Sequence, residues 1–265
     1  MPQVDLSIQY HKNIDLVYSA AELTYVYFFG IPLVDPDGNP LADEIVEHYI
    51  QVAQQEIEHL LSIKLKRKVY EESKHYRYDD WTKWNYIPTA YPVVKPLSLE
   101  GFINTTLQVR YPEQWLSTKT QAPDEFTYFR SVHLVPITGS ASSGSGSSNI
   151  LLGISPYLGY FGNAMVPNYW TVRYHTGFHK VPIDIMDAVG KKAAIQIFTL
   201  LGDIIHGVGI SNRSQSIDGL SQSIGTSRSG DKSVFGARIA QYEKEMASAE
   251  LRLRRRYLGF VMSAI

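Results

Sequence analysis

The sequence predicts an α+β protein, a helical core bundle of three long helices with a β-rich insertion between the first and second. Three observations carry this. Apolar residues recur at three- and four-residue steps in three separate stretches. The segment between the first two is instead rich in Tyr, Val, Thr and Pro. With 265 residues, 44% of them hydrophobic, one core of the size that keeps growing to roughly 250 residues is enough. A single domain over 1–265 is therefore expected.

The first helix is predicted over 41–66. It follows the turn signal Asp35-Pro36-Asp37-Gly38-Asn39-Pro40 and carries Leu41, Ile45, Tyr49, Val52, Leu60 and Leu61 at helical spacing. Asp43, Glu44 and Glu47 near its start and Lys64, Lys66, Arg67 and Lys68 near its end suit the helix dipole, and these cations read as a solvated helix end. The second helix, 182–208, opens at Pro182 and runs through Ile185, Val189, Ala193, Ile197, Leu200 and Ile204, a wide apolar face fit for a central position. The third, 235–262, repeats in sevens. Phe235, Tyr242 and Ala249 form one seam, and Ile239, Met246, Leu253 and Phe260 the other. Such a seam packs on another helix.

The β-rich insertion spans 69–175. Strands are expected at Val69–Tyr78, Tyr91–Leu99, Thr106–Tyr111, Glu125–Ile137 and Tyr169–His175, each bounded by Pro, Gly or Asn. Two stretches read as flexible loops: the Ser/Gly tract 139–149, which has too little apolar surface to order itself, and 211–233, a loop or functional arm.

Composition limits function. Nineteen per cent charged residues and a net charge of −1 give no basic surplus, so bulk attraction to DNA phosphates is not the design. No cysteine is present, which removes disulfides and thiolate metal sites. The start Met1-Pro2-Gln3-Val4-Asp5 has no signal-peptide character, and the most apolar run, Ala193 to Val208, is cut by Gln196, Thr199 and Asp203. Cytoplasmic synthesis and no membrane partner are the expectations.

Motifs for chemistry are weak throughout. The acidic turn at Asp35 has its glycine too early for a calcium loop and Val46 where the bidentate glutamate belongs. His175 and His179 are four apart, but Gly177 and Pro182 oppose the helix that would join them. Gly207-Val208-Gly209 lacks the rest of a dinucleotide fingerprint, and no Gly-flanked nucleophilic serine is found. The carboxylates of Glu56, Glu58, Glu71 and Glu72 read as solvated surface. No catalytic, cofactor-binding or metal-ligating residue is assigned, no cofactor is expected, and the chain reads as not an enzyme.

One charge cluster stands out. Arg252, Arg254, Arg255 and Arg256 lie within about one helical turn, followed by Tyr257, Leu258, Phe260, Val261 and Met262. Arginine forks beside aromatics suit contact with a protein partner or with passing phosphates better than a catalytic clamp. Eighteen tyrosines add polar-tipped aromatic surface of the kind found at interfaces.

Taken in order, the pieces resemble the head-to-tail adaptor, or connector, proteins of tailed bacteriophages. The turn and helix Asn39-Pro40-Leu41-Ala42-Asp43-Glu44 leading to Ala53-Gln54-Gln55-Glu56-Ile57-Glu58 look like the family's opening helix. Val69-Tyr70-Glu71-Glu72 and Tyr91-Pro92-Val93-Val94 look like its following strands. Tyr174-His175-Thr176-Gly177-Phe178 with Val181-Pro182 is similar to its turn before a proline-started helix, and the loop Ser216-Ile217-Asp218-Gly219-Leu220-Ser221 looks like that of longer members. The resemblance covers 39–100 and 170–210; the β-rich insertion and first 35 residues depart from the simple pattern.

The resemblance implies a virion protein of the neck. Its copies form a ring, usually dodecameric, that docks on the portal, links it to the tail or the next neck protein, and surrounds double-stranded DNA without sequence-specific binding. The C-terminal region commonly engages the portal in this family, which here points to Arg252, Arg254, Arg255, Arg256, Tyr257 and Phe260. Two alternatives stand beside it: a stopper or other tail-completion protein, and a receptor- or glycan-binding module built on Trp81, Trp84, Trp115 and Trp170.

Overall fold

The computed structural model describes residues 15–34, 38–77, 86–118, 129–135, 165–206, 210–215, 222–226 and 235–258. The chain divides into two compact units, one comprising Met1–Ile57 with Pro182–Leu253 and the other Glu58–Val181 with Arg254–Ile265. No helix among the described residues is long and apolar enough to cross a membrane.

The first unit is mainly helical. Helix α1 (Ala20–Tyr27) starts at a complete capping box: the Ser19 hydroxyl accepts from the Glu22 amide at 3.2 Å, and the Glu22 carboxylate accepts from the Ser19 amide at 2.9 Å. It turns Ala20, Leu23 and Tyr27 inward. Helix α2 (Asp43–Leu61) buries Val46, Ile50, Ala53 and Ile57 at three- and four-residue steps. On the same helix Gln54 is buried, its Oε1 accepting the Val17 amide at 3.0 Å, so it ties down the chain entering α1.

Helix α3 (Ile183–His206) is the core of this unit, with Ile185, Ala188, Val189, Ala193, Ala194, Ile197, Phe198 and Leu201 all buried. The Phe198 ring meets Phe28 at 4.6 Å and Phe235 at 5.0 Å between centroids. At Gly190 a Cβ would collide with the Tyr27 ring, so glycine there lets α1 lie directly on α3. The Tyr27 hydroxyl donates to Asp187 Oδ1 at 3.1 Å. Helix α4 (Gly236–Tyr257) is held to α3 by Lys191, whose ammonium reaches Asp187 at 2.8 Å and Glu245 at 2.7 Å. Lys192 pairs with Glu56 of α2 at 2.8 Å.

The second unit is built on strands β1 (Lys68–Arg77), β2 (Tyr86–Pro88), β3 (Lys95–Ile103), β4 (Thr106–Tyr111), β5 (Leu116–Ser117), β6 (Ser131–Leu134) and β7 (Met165–Thr176). They form an antiparallel four-stranded sheet, β1-β7-β3-β4, and a three-stranded one, β2-β6-β5. Alternation sends Trp170, Val172 and Tyr174 of β7 inward, where they share a core with Tyr76 and Leu99 of the larger sheet and Ile87, Leu116 and Val132 of the smaller. The crowding is aromatic: Tyr169 and Trp170 stand 4.7 Å apart, and Tyr76 packs on both. After β7, Gly177 has φ 88° and presses on the Lys66 carbonyl, where a Cβ has no room. The Phe178 amide then donates to Leu65 O at 3.1 Å.

The three-long-helix core is not what the structure shows. Among the described residues there are four α-helices in a strand-rich fold, α1 meets α3 directly, and both α2 and α4 are divided between the two units. Periodicity marks an apolar face but not the element that covers it. The first helix also ends sooner than 66. Ser62, at φ 50°, takes the left-handed position of a Schellman cap, the Ile63 amide donating to Glu58 O and the Ser62 amide to His59 O. Lys64 and Lys66 thus lie beyond the helix, and Lys68 opens β1.

Other boundaries move too. The strand expected from Tyr91 is displaced to Lys95, and within Glu125–Ile137 the strand is Ser131–Leu134. The stretch 211–233 read as a loop contains most of a hairpin, β8 (Ile210–Gln215) with β9 (Gln222–Thr226), a two-stranded antiparallel sheet among the described residues. The tract 139–149 lies outside the described residues.

Candidate functional site

Of the residues expected to dock on a portal, Arg252, Arg254, Arg255 and Arg256 are all exposed on the last turns of α4. Tyr257 is buried at 3% exposure, its ring edge-on to Phe178 at 5.9 Å. It is a packing residue of the second unit, anchoring the helix end from which the arginines project. Phe260 lies outside the described residues. At 100° per residue, Leu253 and Tyr257 face inward while Arg255 points opposite them, with Arg252 to one side. The terminus therefore presents a fan of guanidinium groups with an apolar anchor beneath it. Cations there also complement the negative end of the helix dipole.

Two clefts in the second unit are lined by charged and polar side chains. The smaller, about 200 Å³, is lined by Glu58, His59, Ser62, Lys64, Ala90 and Tyr91. Glu58 Oε2 pairs with Lys64 Nζ at 2.8 Å and its Oε1 accepts the Leu65 amide at 3.0 Å. The Lys64 ammonium also lies 5.1 Å from the Tyr91 ring centroid. Burial works against its charge, but the Glu58 hydrogen bond and charge outweigh that and hold its pKa above the ordinary value.

Glu72 repeats the pattern nearby. Its Oε1 accepts from the Tyr174 hydroxyl at 3.0 Å and the Ala90 amide at 2.9 Å, and its Oε2 pairs with Lys74 at 2.9 Å. Burial first, and then the Glu72 charge, push the Tyr174 phenol well above its usual range. The sequence reading of Glu58 and Glu72 as solvated surface is overturned, since their side chains are only 12% and 11% exposed and serve as internal hydrogen-bond hubs. They face inward because strand alternation places Glu72 on the same side of β1 as Tyr76, and because Glu58 sits where α2 is capped. Glu56 and Glu71 remain on the surface, paired with Lys192 and Arg173.

The larger cleft, about 490 Å³, lies on the outward face of the four-stranded sheet and includes Ser98, Glu100, Arg110, Glu113 and Arg173. Its charges are matched in pairs: Arg110 with Glu100 at 2.9 Å, Arg173 with Glu71 at 3.2 Å, Lys95 with Glu113 at 2.7 Å. Two of these pairs cross between strands, and the cleft lining itself sets two arginines, Arg110 and Arg173, against two glutamates, Glu100 and Glu113.

Among the described residues no group of three His, Asp or Glu side chains is placed to hold a metal ion. His175 lies in β7 and His179 beyond the turn at Gly177. Of the four tryptophans on which a glycan surface was weighed, Trp115 and Trp170 are core residues, 8% and 2% exposed, which counts against that alternative; Trp81 and Trp84 lie outside the described residues. The sequence missed the exposed aromatic face of α1, although the Ser19–Glu22 capping pair was there to announce the helix. In comparison with known proteins, no protein-family model and no curated relative matches the chain.

Proposed function

We propose that the protein is a structural, non-enzymatic component of a tailed-bacteriophage neck, a head-to-tail adaptor whose copies form a ring, dodecameric by its resemblance. In this reading the ring docks on the portal, links it to the tail or the next neck protein, and surrounds the DNA channel. The protein is then made in the host cytoplasm and ends in the virion. One observation supports the reading above the others: the end of α4 offers four exposed arginines over a buried Tyr257 anchor, a strongly basic helix terminus. Arginine forks meeting carboxylates on a partner give strong, oriented contacts.

The test leaves the core in place. In Arg254→Gln, Arg255→Gln, Arg256→Gln protein, Leu253 and Tyr257 are kept and no negative charge is set at the negative end of the helix, so the unfolding midpoint should fall only slightly. Attachment to portal-bearing heads, followed by co-sedimentation, should be lost. Normal attachment of the triple variant would sink the docking role.

A further inference from the structure

Helix α1 and the turn that follows it carry apolar residues on two sides. Its inward face, Ala20, Leu23 and Tyr27, is used up in the first unit, yet Tyr25, Val26 and Phe29 remain 73%, 57% and 81% exposed. The Tyr25 and Phe29 rings touch edge to face at 6.2 Å, so they form one patch rather than scattered residues. A contiguous exposed apolar patch of this kind marks a contact surface. Helix α4 of the same unit has the complementary surface. Opposite its buried side lie Lys244, Ala247, Ser248 and Leu251, all exposed, with Leu251 at 62% and Arg252 beside it. Among the described residues neither Lys244 nor Arg252 makes an ion pair.

We infer that the Tyr25-Val26-Phe29 face of one copy is covered by the Lys244-Leu251-Arg252 face of a second copy. The two patches differ in chemistry in the way a head-to-tail contact requires. The α1 face has rings and no cation, whereas the α4 face has two cations, an exposed leucine and no ring, with the small Ala247 and Ser248 leaving room for close approach. Cations over aromatic rings attract, and the chain already uses this contact internally, with Arg238 over Tyr242 at 5.3 Å and Arg256 over Tyr257 at 5.5 Å. Two α1 faces meeting each other would leave the cations unused, and two α4 faces would bring like charges together. A contact between unlike patches repeats from copy to copy and gives a ring where its rotation closes. The inference rests on the ring reading given above and assigns the surface that would build it.

Because the chain has no cysteine, a disulfide test is clean. Phe29→Cys and Leu251→Cys proteins are mixed before assembly and oxidised mildly, with the native mass of each sample measured in parallel. The expected result is a cross-linked pair in the mixture and none in either variant alone, and a ladder of multimers from the chain carrying both substitutions. Tyr25→Ser, Phe29→Ser protein should associate at least about tenfold more weakly with its unfolding midpoint unchanged. Cross-linking of Phe29→Cys protein with itself would overturn the inference in favour of a symmetric pair. A ring that forms without the mixed cross-link would overturn it while leaving the ring reading intact, the patch then belonging to another protein. A chain that stays monomeric at all concentrations and on portal-bearing heads would overturn both.

Discussion

Gly177 shows how much one residue decides in this fold. It combines a backbone angle of 88° with direct crowding from the Lys66 carbonyl, so both strain and collision forbid a side chain. Gly38 has nearly the same angle, 84°, and open space around it. Gly38→Ala should therefore cost only the conformational penalty, about 1 kcal/mol. Gly177→Ala should cost more than about 2 kcal/mol, because the link between Leu65 and Phe178 must also open. Denaturant titration of both variants checks this; equal losses would mean the Lys66 contact relaxes freely. The sequence made the turn at Gly177 legible, but not the partner backbone that makes glycine obligatory. Nor did it separate Tyr257 from its neighbours. The arginines around it are exposed, as their charge requires, whereas the tyrosine is claimed by Phe178, far away in sequence.

Between elements, glycine again sets the distance. Gly190→Ala drives a methyl group into the Tyr27 ring and should lift α1 from α3, costing roughly 1–3 kcal/mol and speeding hydrogen exchange in residues 20–27. Adding Tyr27→Ala should recover part of the loss of α3 packing, a non-additivity that marks direct contact. The α3–α4 tie carries a pH signature. Glu245 is held below its ordinary value of 4.5 by hydrogen bonds from Lys191 and then Gln241. Lys191, although burial opposes its charge, is held above its ordinary 10.5 by hydrogen bonds to Asp187 and Glu245. A depressed acid stabilises fully above its unfolded value and fails as pH falls; a raised base stabilises fully below its unfolded value and fails as pH rises. The tie is therefore whole between about 4.5 and 10.5 and weakens on both sides. Lys191→Met should flatten both limbs of the unfolding-midpoint profile; an unchanged profile would show that the tie contributes nothing. At this scale α2, α3 and α4 were readable as helices from their apolar spacing, but the face read for α2, Leu41, Ile45, Tyr49, Val52 and Leu60, is only half-buried, and the buried positions beside Leu61 are Val46, Ile50, Ala53 and Ile57. Helix α1 was not, since Tyr25, Val26 and Phe29 point outward and erase the amphipathic contrast.

At the scale of the molecule, the sequence separated the long helical stretches from the strand-forming one, but it missed α1, read the β8–β9 hairpin as a loop, and put the helices into one three-helix core. Helical spacing in α2 is continuous through Leu61, yet from Glu58 onward its residues serve the strand-rich unit, where Glu58 holds Lys64 and Arg130 donates to Leu61 O at 3.3 Å. Those partners are set by long-range pairing that no local pattern announces. Of the candidate surface, the basic helix end was legible from four arginines in five positions. The aromatic face of α1 became visible only once the inward side of that helix was known. All four tryptophans fall within the residue range of the strand-rich unit, and the two described ones sit in its core. Most of the helical backbone belongs to the other unit. Intrinsic tryptophan emission thus watches one unit and far-ultraviolet circular dichroism chiefly the other, so the unmodified protein carries a separate optical reporter for each, and comparing the two melting curves reveals whether they unfold together.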